Sequence, residues 1–270
     1  MLHSPTCFGY NETHQPAKFQ HMGDRMHTAR IALHCLGTFE LTIDATAVTA
    51  FPTDKIRALL AYLALEQDNR AGARLHRREI LAGLLWPEMA DDMALANLRL
   101  AIHRLRQTLD RAAAGTGAAL LTSTRQTVQL NPATLAVDVT RFQALLAESA
   151  AHEHHDLPGC DACLTKLAQA VELYQGELLA GFGLADAPAF EEWLLLRREM
   201  LHQQALIALH SLAAAWEQRE DYDQAHLYAS RQLALDPYRE EAHRQLMWIL
   251  ALRGLRGAAL VQYERCRQLL

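Results

Sequence analysis

A 34-residue repeat in the C-terminal half most constrains how this 270-residue chain can fold. The residues that match at this spacing are Leu212 with Leu246, Trp216 with Leu250, and Ala225 with Ala259. A small alanine in the second helix of each copy lets the paired helices approach closely, and Leu235-Asp236-Pro237 closes the first copy. The spacing therefore predicts two stacked helix pairs of tetratricopeptide type, which together with the helices before them make a short superhelix.

Beyond residue 136 the sequence is almost wholly helical, with no convincing strand. Apolar residues recur at helical spacing in segments at about 140–149, 162–176, 188–217, 221–235, 239–253 and 256–269. Aromatic residues fall within these segments, and core packing is their expected role: Trp193, Trp216, Tyr228, Trp248 and Tyr263. We therefore predict an all-α, tetratricopeptide-like domain over residues 136–270.

Residues 30–131 mix strand and helix patterns. IALHCLGTFELTID, from Ile31, predicts small antiparallel strands because it has short apolar runs and β-branched residues. Three helical patterns follow. The first is FPTDKIRALLAYLALEQ, with Thr53 as N-cap, and the second is RLHRREILAGLLWPEM, whose apolar side is formed by Ile80, Leu81, Leu84 and Leu85. The third is MALANLRLAIHRLRQTL. LLTSTRQTVQL predicts a β-hairpin. This order is that of a winged helix-turn-helix, an α+β fold, so we predict a mainly α protein whose polar residues 1–29 form a disordered tail.

The charge is distributed unevenly between these segments. The chain has a net charge of -5, yet residues 30–131 contain twelve basic and ten acidic residues, whereas residues 132–270 contain twelve and nineteen. The five cysteines are too few and scattered for a secreted disulfide scaffold, and no apolar run is long enough for a signal peptide or a membrane span. We expect a cytoplasmic protein with no membrane partner and a mildly basic middle segment.

The third helix has the most informative polar surface. One side is an apolar stripe that should dock on the first two helices, formed by Leu95, Leu98, Ile102, Leu105 and Leu109. The other faces carry Asn97, Arg99, His103, Arg104, Arg106 and Gln107. In the DNA major groove, arginine can donate twice to guanine, and asparagine or glutamine can pair with adenine. Arg99, His103 and Gln107 lie opposite the stripe and are candidates to read bases, while Arg104 and Arg106 flank it and are candidates for phosphate; a solvated surface helix is the alternative.

Two further sets of arginines extend this candidate DNA surface. Arg125 lies at the expected tip of the hairpin among hydroxyl and amide side chains, where it could contact phosphate or enter a minor groove. Arg74, Arg77 and Arg78 precede the second helix, whose N-terminus favours an anion. The hypothesis for these residues is clamping of the DNA backbone.

The stretch HEHHDLPGCDACL, residues 152–164, is a candidate zinc site because it combines histidines with a Cys-x-x-Cys. Zinc prefers four ligands, which Cys160, Cys163 and two of His152, His154 and His155 could supply. The gap between His154 and Cys160 is not a standard finger spacing, and Cys163 falls where a helix begins and could simply pack there. We therefore expect no cofactor, with zinc as a weaker alternative.

Several long runs resemble one regulatory family. FPTDKIRALLAYLALEQ, REILAGLLWPEM and NLRLAIHRLRQTL look like the DNA-binding domain of the Streptomyces antibiotic regulatory protein (SARP) family, whose winged helix is related to that of OmpR-type response regulators. LYQGELLAGF, FEEWLLLRREML, DYDQAHLYASRQLALDPYREEAHRQLMWILALRG and AALVQYERCRQLL are similar to the bacterial transcriptional activator domain of that family. The resemblance covers nearly everything after residue 30.

The resemblance implies a sequence-specific transcription activator. Such a protein binds repeated sites in double-stranded promoter DNA, contacts RNA polymerase, and could pair with a second copy on DNA. The recognition-helix role carries over to residues 97–107, and the wing to the turn around Arg125. The third helix departs from the pattern in beginning with two acidic residues and in placing Leu100 on its exposed side.

Other functional classes have weaker support. The chain has no G-x-S-x-G, H-E-x-x-H or G-x-x-x-x-G-K-[ST] motif, so we expect no enzyme and no phosphate loop. The paired acids Asp91-Asp92 and Glu191-Glu192 lie at helix starts, where carboxylates complement the helix dipole. Two alternatives remain: a helical-repeat adaptor without DNA binding, and a metal-responsive regulator.

Overall fold

The computed structural model describes residues 30–67, 74–153 and 156–269. The predicted disordered tail, residues 1–29, lies outside the described residues. The first part of the chain contains β1 (Ile31–His34), β2 (Glu40–Ile43), β3 (Thr46–Ala47), α1 (Asp54–Leu65), β4 (Leu75–Arg77), α2 (Arg78–Leu85), α3 (Asp91–Ala112), α4 (Thr116–Leu120), β5 (Leu121–Ser123), β6 (Thr127–Leu130) and β7 (Leu135–Val137). The second part contains α5 (Asp138–Ala150), α6 (Asp161–Leu173), α7 (Pro188–Gln218), α8 (Tyr222–Leu235), α9 (Glu240–Leu252) and α10 (Arg256–Leu269).

The strands form two small sheets. One sheet has the order β3-β2-β1-β7, in which β1 is antiparallel to β2 and parallel to β7. The other has the order β4-β6-β5, with both pairings antiparallel. Since β5 and β6 are the predicted hairpin and follow α3, they form the wing of a winged helix-turn-helix. The predicted fold class is confirmed.

The apolar stripe of α3 explains why this helix docks where it does. Leu98, Ile102, Leu105 and Leu109 are buried in a shared core with Leu59, Leu63 and Leu81, while Leu95 is partly buried against it. Burying one leucine side chain contributes about 1.5–3 kcal/mol, so the stripe fixes which face of α3 is left for solvent.

Thr53 is the N-cap residue of α1, as predicted, although its side chain makes no capping hydrogen bond. Other local expectations in this part were wrong. Residues 75–77 form β4 because they pair with β6, so α2 begins only at Arg78, and Ile80 is 59% exposed instead of facing the core. The short helix α4 and the strand β7 were not expected from the sequence.

The second part is helical, as predicted, and its helix ends differ from the expected ones by at most a few residues. The repeat positions Leu212, Ala225, Leu246 and Leu250 are buried in one core cluster. Trp248 and Tyr263, however, are 57% and 51% exposed, so the expectation of core packing was wrong for these two aromatics. They lie on α9 and α10, the last two helices that the structure describes.

The two parts share one hydrophobic core. A single cluster of buried residues runs from Ile31 through the winged helix to Phe142, Phe190 and Ala205. At the junction, the Asp138 carboxylate accepts hydrogen bonds from the backbone N–H groups of Cys35 and Leu36, at 2.8 and 2.9 Å. This contact anchors the start of α5 to the end of β1.

Candidate nucleic-acid interface

The solvent-facing side of α3 carries three polar side chains in a row. Arg99, His103 and Gln107 are exposed and follow one another at four-residue spacing, so they lie along one face opposite the buried stripe. The carboxylate of Asp110, further along the helix, accepts a hydrogen bond from the backbone N–H of Gly117 at 2.8 Å. The face therefore presents hydrogen-bond donors that a base edge or a phosphate could accept.

The wing is held against this face by two arginines. Arg106 of α3 donates to the Leu121 carbonyl oxygen at 2.9 Å and to the Ser123 hydroxyl at 3.1 Å. Arg78, at the start of α2, donates through its guanidinium to the Thr124 carbonyl oxygen at 2.8 Å. These bonds bring the start of α2, one side of α3 and the wing into a single surface.

The tip of the wing is ordered by a threonine side chain. The Thr124 hydroxyl oxygen accepts from the backbone N–H groups of Gln126 and Thr127, at 3.2 and 3.0 Å. This local turn leaves Arg125 exposed between the two strands. Arg125 thus lies at the tip, as the sequence indicated.

The electrostatics of this surface favour an anion. Partial burial lowers the pKa of Arg78, and the positive charges of Arg99 and Arg106 lower it further. Within residues 30–67, 74–153 and 156–269, none of Arg78, Arg99, Arg106 and Arg125 forms an ion pair with a carboxylate. A phosphate placed here would relieve the mutual repulsion of these cations.

The remaining predicted DNA-contacting residues lie apart from this surface or are engaged elsewhere. Asn97 is partly buried, and its amide nitrogen lies 2.9 Å from the sulfur of Met89. Arg104 is partly buried and, with Asn97, lines a groove between α1, α3 and residues 183–186. Arg77 pairs with Glu79 at 3.5 Å, and Arg74 pairs with Glu66 at 2.9 Å.

The predicted metal ligands are only partly described. Cys160, Cys163 and His152 lie together at the junction of α5 and α6. His154 and His155 lie outside the described residues.

None of the described helices is long and apolar enough to cross a membrane.

Comparison with known proteins assigns the second part of the chain. Residues 137–270 match the model of the bacterial transcriptional activator domain. Residues 137–270 therefore belong to this domain family. With a winged helix ahead of the activator domain, it has the architecture of a SARP-type transcriptional regulator.

The fold is similar to that of a solved structure. Mycobacterium tuberculosis EmbR, determined in complex with a low-affinity phosphopeptide, superimposes with a TM-score of 0.65 and 22% sequence identity. The similarity covers 89% of this chain and 59% of EmbR, so the chain spans about three fifths of that protein. None of the curated proteins compared matches the chain.

The activator domain contacts the winged helix through residues whose pairing the sequence did not indicate. Glu66, at the end of α1, accepts hydrogen bonds from the indole N–H of Trp193, at 2.9 Å, and from the guanidinium of Arg197. The Trp193 ring also packs on Tyr62, with ring centroids 4.9 Å apart. No periodicity or motif marks such a contact, because its partners are separated by more than a hundred residues.

A second contact lies next to α3. The Lys55 ammonium pairs with Asp186 at 2.7 Å and lies over the Trp86 ring, 5.4 Å from its centroid. The hydrogen bond and charge of Lys55 lower the pKa of Asp186. The activator domain thus contacts the start of α1 close to the groove lined by Asn97 and Arg104.

Proposed function

We propose that this chain is a sequence-specific DNA-binding activator of transcription. The observation that carries the proposal is the continuous donor surface formed by Arg99, His103 and Gln107 of α3 together with Arg78, Arg106 and the wing tip at Arg125. An α-helix of this exposure fits the major groove, and a basic wing beside it can follow the backbone of the same duplex.

The residues of this surface would have three different roles in binding DNA. Arg99, His103 and Gln107 would face base edges, whereas Arg78 and Arg125 would contact phosphates on the flank. Arg106 holds the wing through two hydrogen bonds, so its contribution would come chiefly through positioning. The activator domain would then present its outer surface to RNA polymerase or to a second copy of the chain.

The test is binding of the purified chain to duplex DNA from the region upstream of its own gene. Arg99→Ala should weaken specific binding by about 1–3 kcal/mol if Arg99 reads a guanine. Arg125→Ala should weaken binding to all duplexes similarly and reduce the salt slope by about one, because a phosphate contact is lost. Arg256→Ala, an exposed arginine on α10, is the matched control and should bind as the wild type does.

Two results would separate this proposal from its alternatives. If Arg99→Ala and Gln107→Ala both bind normally, α3 is not the recognition element. If the wild-type chain shows no saturable, salt-dependent binding to any upstream duplex, the DNA-binding proposal fails. The net negative charge of the activator domain would then favour the alternative of a helical-repeat adaptor without DNA binding. Transcription from a bound promoter by purified RNA polymerase, with and without the chain, tests the activator step.

A further inference from the structure

The junction between α5 and α6 gathers three side chains that are typical metal ligands. His152 lies just after α5, Cys160 is the residue before α6, and Cys163 lies in the first turn of α6. Their ligand atoms all lie within 4.8 Å of one another. We propose that His152, Cys160 and Cys163 bind a zinc ion, which ties the end of α5 to the start of α6.

The distances fit a tetrahedral zinc centre. The His152 Nδ1 atom is 3.5 Å from the Cys160 sulfur and 3.4 Å from the Cys163 sulfur. With zinc bonds of about 2.3 Å to sulfur and about 2.0 Å to nitrogen, ligand atoms at tetrahedral angles lie about 3.5 Å apart. A zinc ion therefore fits between these atoms with little movement of the histidine.

The surroundings hold the two cysteines in place. The Cys163 sulfur is buried and lies 3.7 Å from the Ser149 carbonyl oxygen, in the last turn of α5. Arg219, the residue just after α7, donates to the Pro158 carbonyl oxygen at 2.5 Å and pairs with Asp161 at 2.7 Å, so it contacts the chain on both sides of Cys160. The donor set therefore lies between α5, α6 and the end of α7.

The donor chemistry selects the metal. Two sulfurs and an imidazole nitrogen suit a borderline-soft ion such as Zn²⁺ and disfavour Mg²⁺ or Ca²⁺, which prefer oxygen ligands. Zinc binds the thiolate, so its binding releases the thiol protons to solvent. The three described residues leave a fourth coordination position, which water can fill because His152 is exposed.

The first test is metal content, measured by mass spectrometry on untagged protein dialysed after exposure to zinc. The wild-type chain should retain about one zinc per chain. His152→Ala and Cys160→Ser replace side chains outside the core. Each should weaken zinc binding by more than roughly tenfold, because even the loss of a residue that only hydrogen-bonds a ligand has an effect of that size. His210→Ala and Cys266→Ser are the matched controls, since neither residue belongs to the described cluster of ligand atoms, and they should retain zinc.

The second test asks whether the cysteines ligate the metal directly. Cobalt(II) in place of zinc should give thiolate-to-metal charge-transfer absorption in the wild type, reduced in Cys160→Ser and unchanged in Cys266→Ser. Zinc should raise the thermal unfolding midpoint of the wild type but not that of His152→Ala.

The proposal is overturned by any of three outcomes. These are less than about a tenth of an equivalent of zinc in the reduced wild type, equal zinc affinity in wild type and site variants, or a Cys160–Cys163 disulfide whose reduction restores no metal binding. None of these readouts involves DNA, so the zinc site and the proposed DNA-binding function can fail separately.

Discussion

At the scale of single residues, Asp138 is a buried charge that joins two parts of the fold. Its carboxylate accepts hydrogen bonds from the backbone N–H groups of Cys35, Leu36 and Val139. Burial raises the pKa of Asp138, and these hydrogen bonds, which favour the ionised form, offset part of that increase. A carboxylate is suited to this position because it presents acceptors to all three donors and has no donor of its own.

Replacing Asp138 with asparagine should therefore destabilise the chain. The amide NH₂ group would face backbone donors and leave at least one buried N–H unpaired, at a cost of about 1–3 kcal/mol. Chemical denaturation monitored by circular dichroism measures the change. Asp161→Asn, at an exposed aspartate, is the matched control and should change stability by less than about 0.5 kcal/mol. Equal stability of the two variants would contradict the role given to Asp138.

At the scale of elements, the position of the wing depends on close packing of α4 against α3. A Cβ atom built on Gly117 would lie 2.8 Å from the Arg106 carbonyl oxygen and 2.9 Å from the Arg106 Cα. Both contacts are with backbone, which cannot rotate away. Since Arg106 also holds β5 through the Leu121 carbonyl, glycine at 117 is linked to the placement of the whole hairpin.

Gly117→Ala should lower the free energy of unfolding by about 1–3 kcal/mol, the usual cost of overpacking. Gly83 offers a matched control, because a Cβ atom at this position in α2 meets nothing within 4 Å. Gly83→Ala should stabilise the chain by up to about 1 kcal/mol through helix propensity. Thermal unfolding of both variants measures the contrast, and a stabilising Gly117→Ala would show that α4 is not packed as described.

The helices and the hairpin could be predicted from the sequence, whereas two of the short strands could not. The positions of helices such as α3 and α9 could be predicted because their apolar residues recur at helical spacing. The hairpin could be predicted because residues 120–130 partly alternate between apolar and polar side chains. The strands β4 and β7 could not, because three residues are too few to show alternation and their partners, β6 and β1, are distant in sequence. The exposed row on α3 could be predicted because its residues are close in sequence and follow helical spacing. The hydrogen bonds of Arg106 and Arg78 to the wing could not be predicted, because they join segments that only the fold brings together.

At the scale of the whole molecule, Glu66 links the winged helix to the activator domain. Burial alone would raise the pKa of Glu66, but hydrogen bonds from Trp193 and Arg197, with the charges of Arg197 and Arg74, hold it below its ordinary value. A carboxyl group whose folded-state pKa is lowered stabilises the fold above its unfolded pKa of about 4.3. This contribution is lost as the pH falls toward the lower folded-state pKa.

Glu66→Gln should therefore lower stability at neutral pH by about 1–3 kcal/mol and remove part of the acid sensitivity. The difference between wild type and variant should shrink as the pH falls below about 4. Denaturation midpoints measured across acid pH test this, with Glu79→Gln, at an exposed ion pair, as the control that should change little. A difference that does not depend on pH would contradict the ionised linkage.

The shared core and the parallel pairing of β7 with β1 leave no flexible linker between the two domains. If α3 enters a major groove, the activator domain must project from the duplex in one fixed direction. Its angular position around the DNA axis would then be set by where the site begins. Sites displaced by half a helical turn, about five base pairs, would place the activator domain on the opposite side of the promoter. Under the proposed function, rigid attachment would thus convert the position of a site along DNA into the orientation of the activator domain.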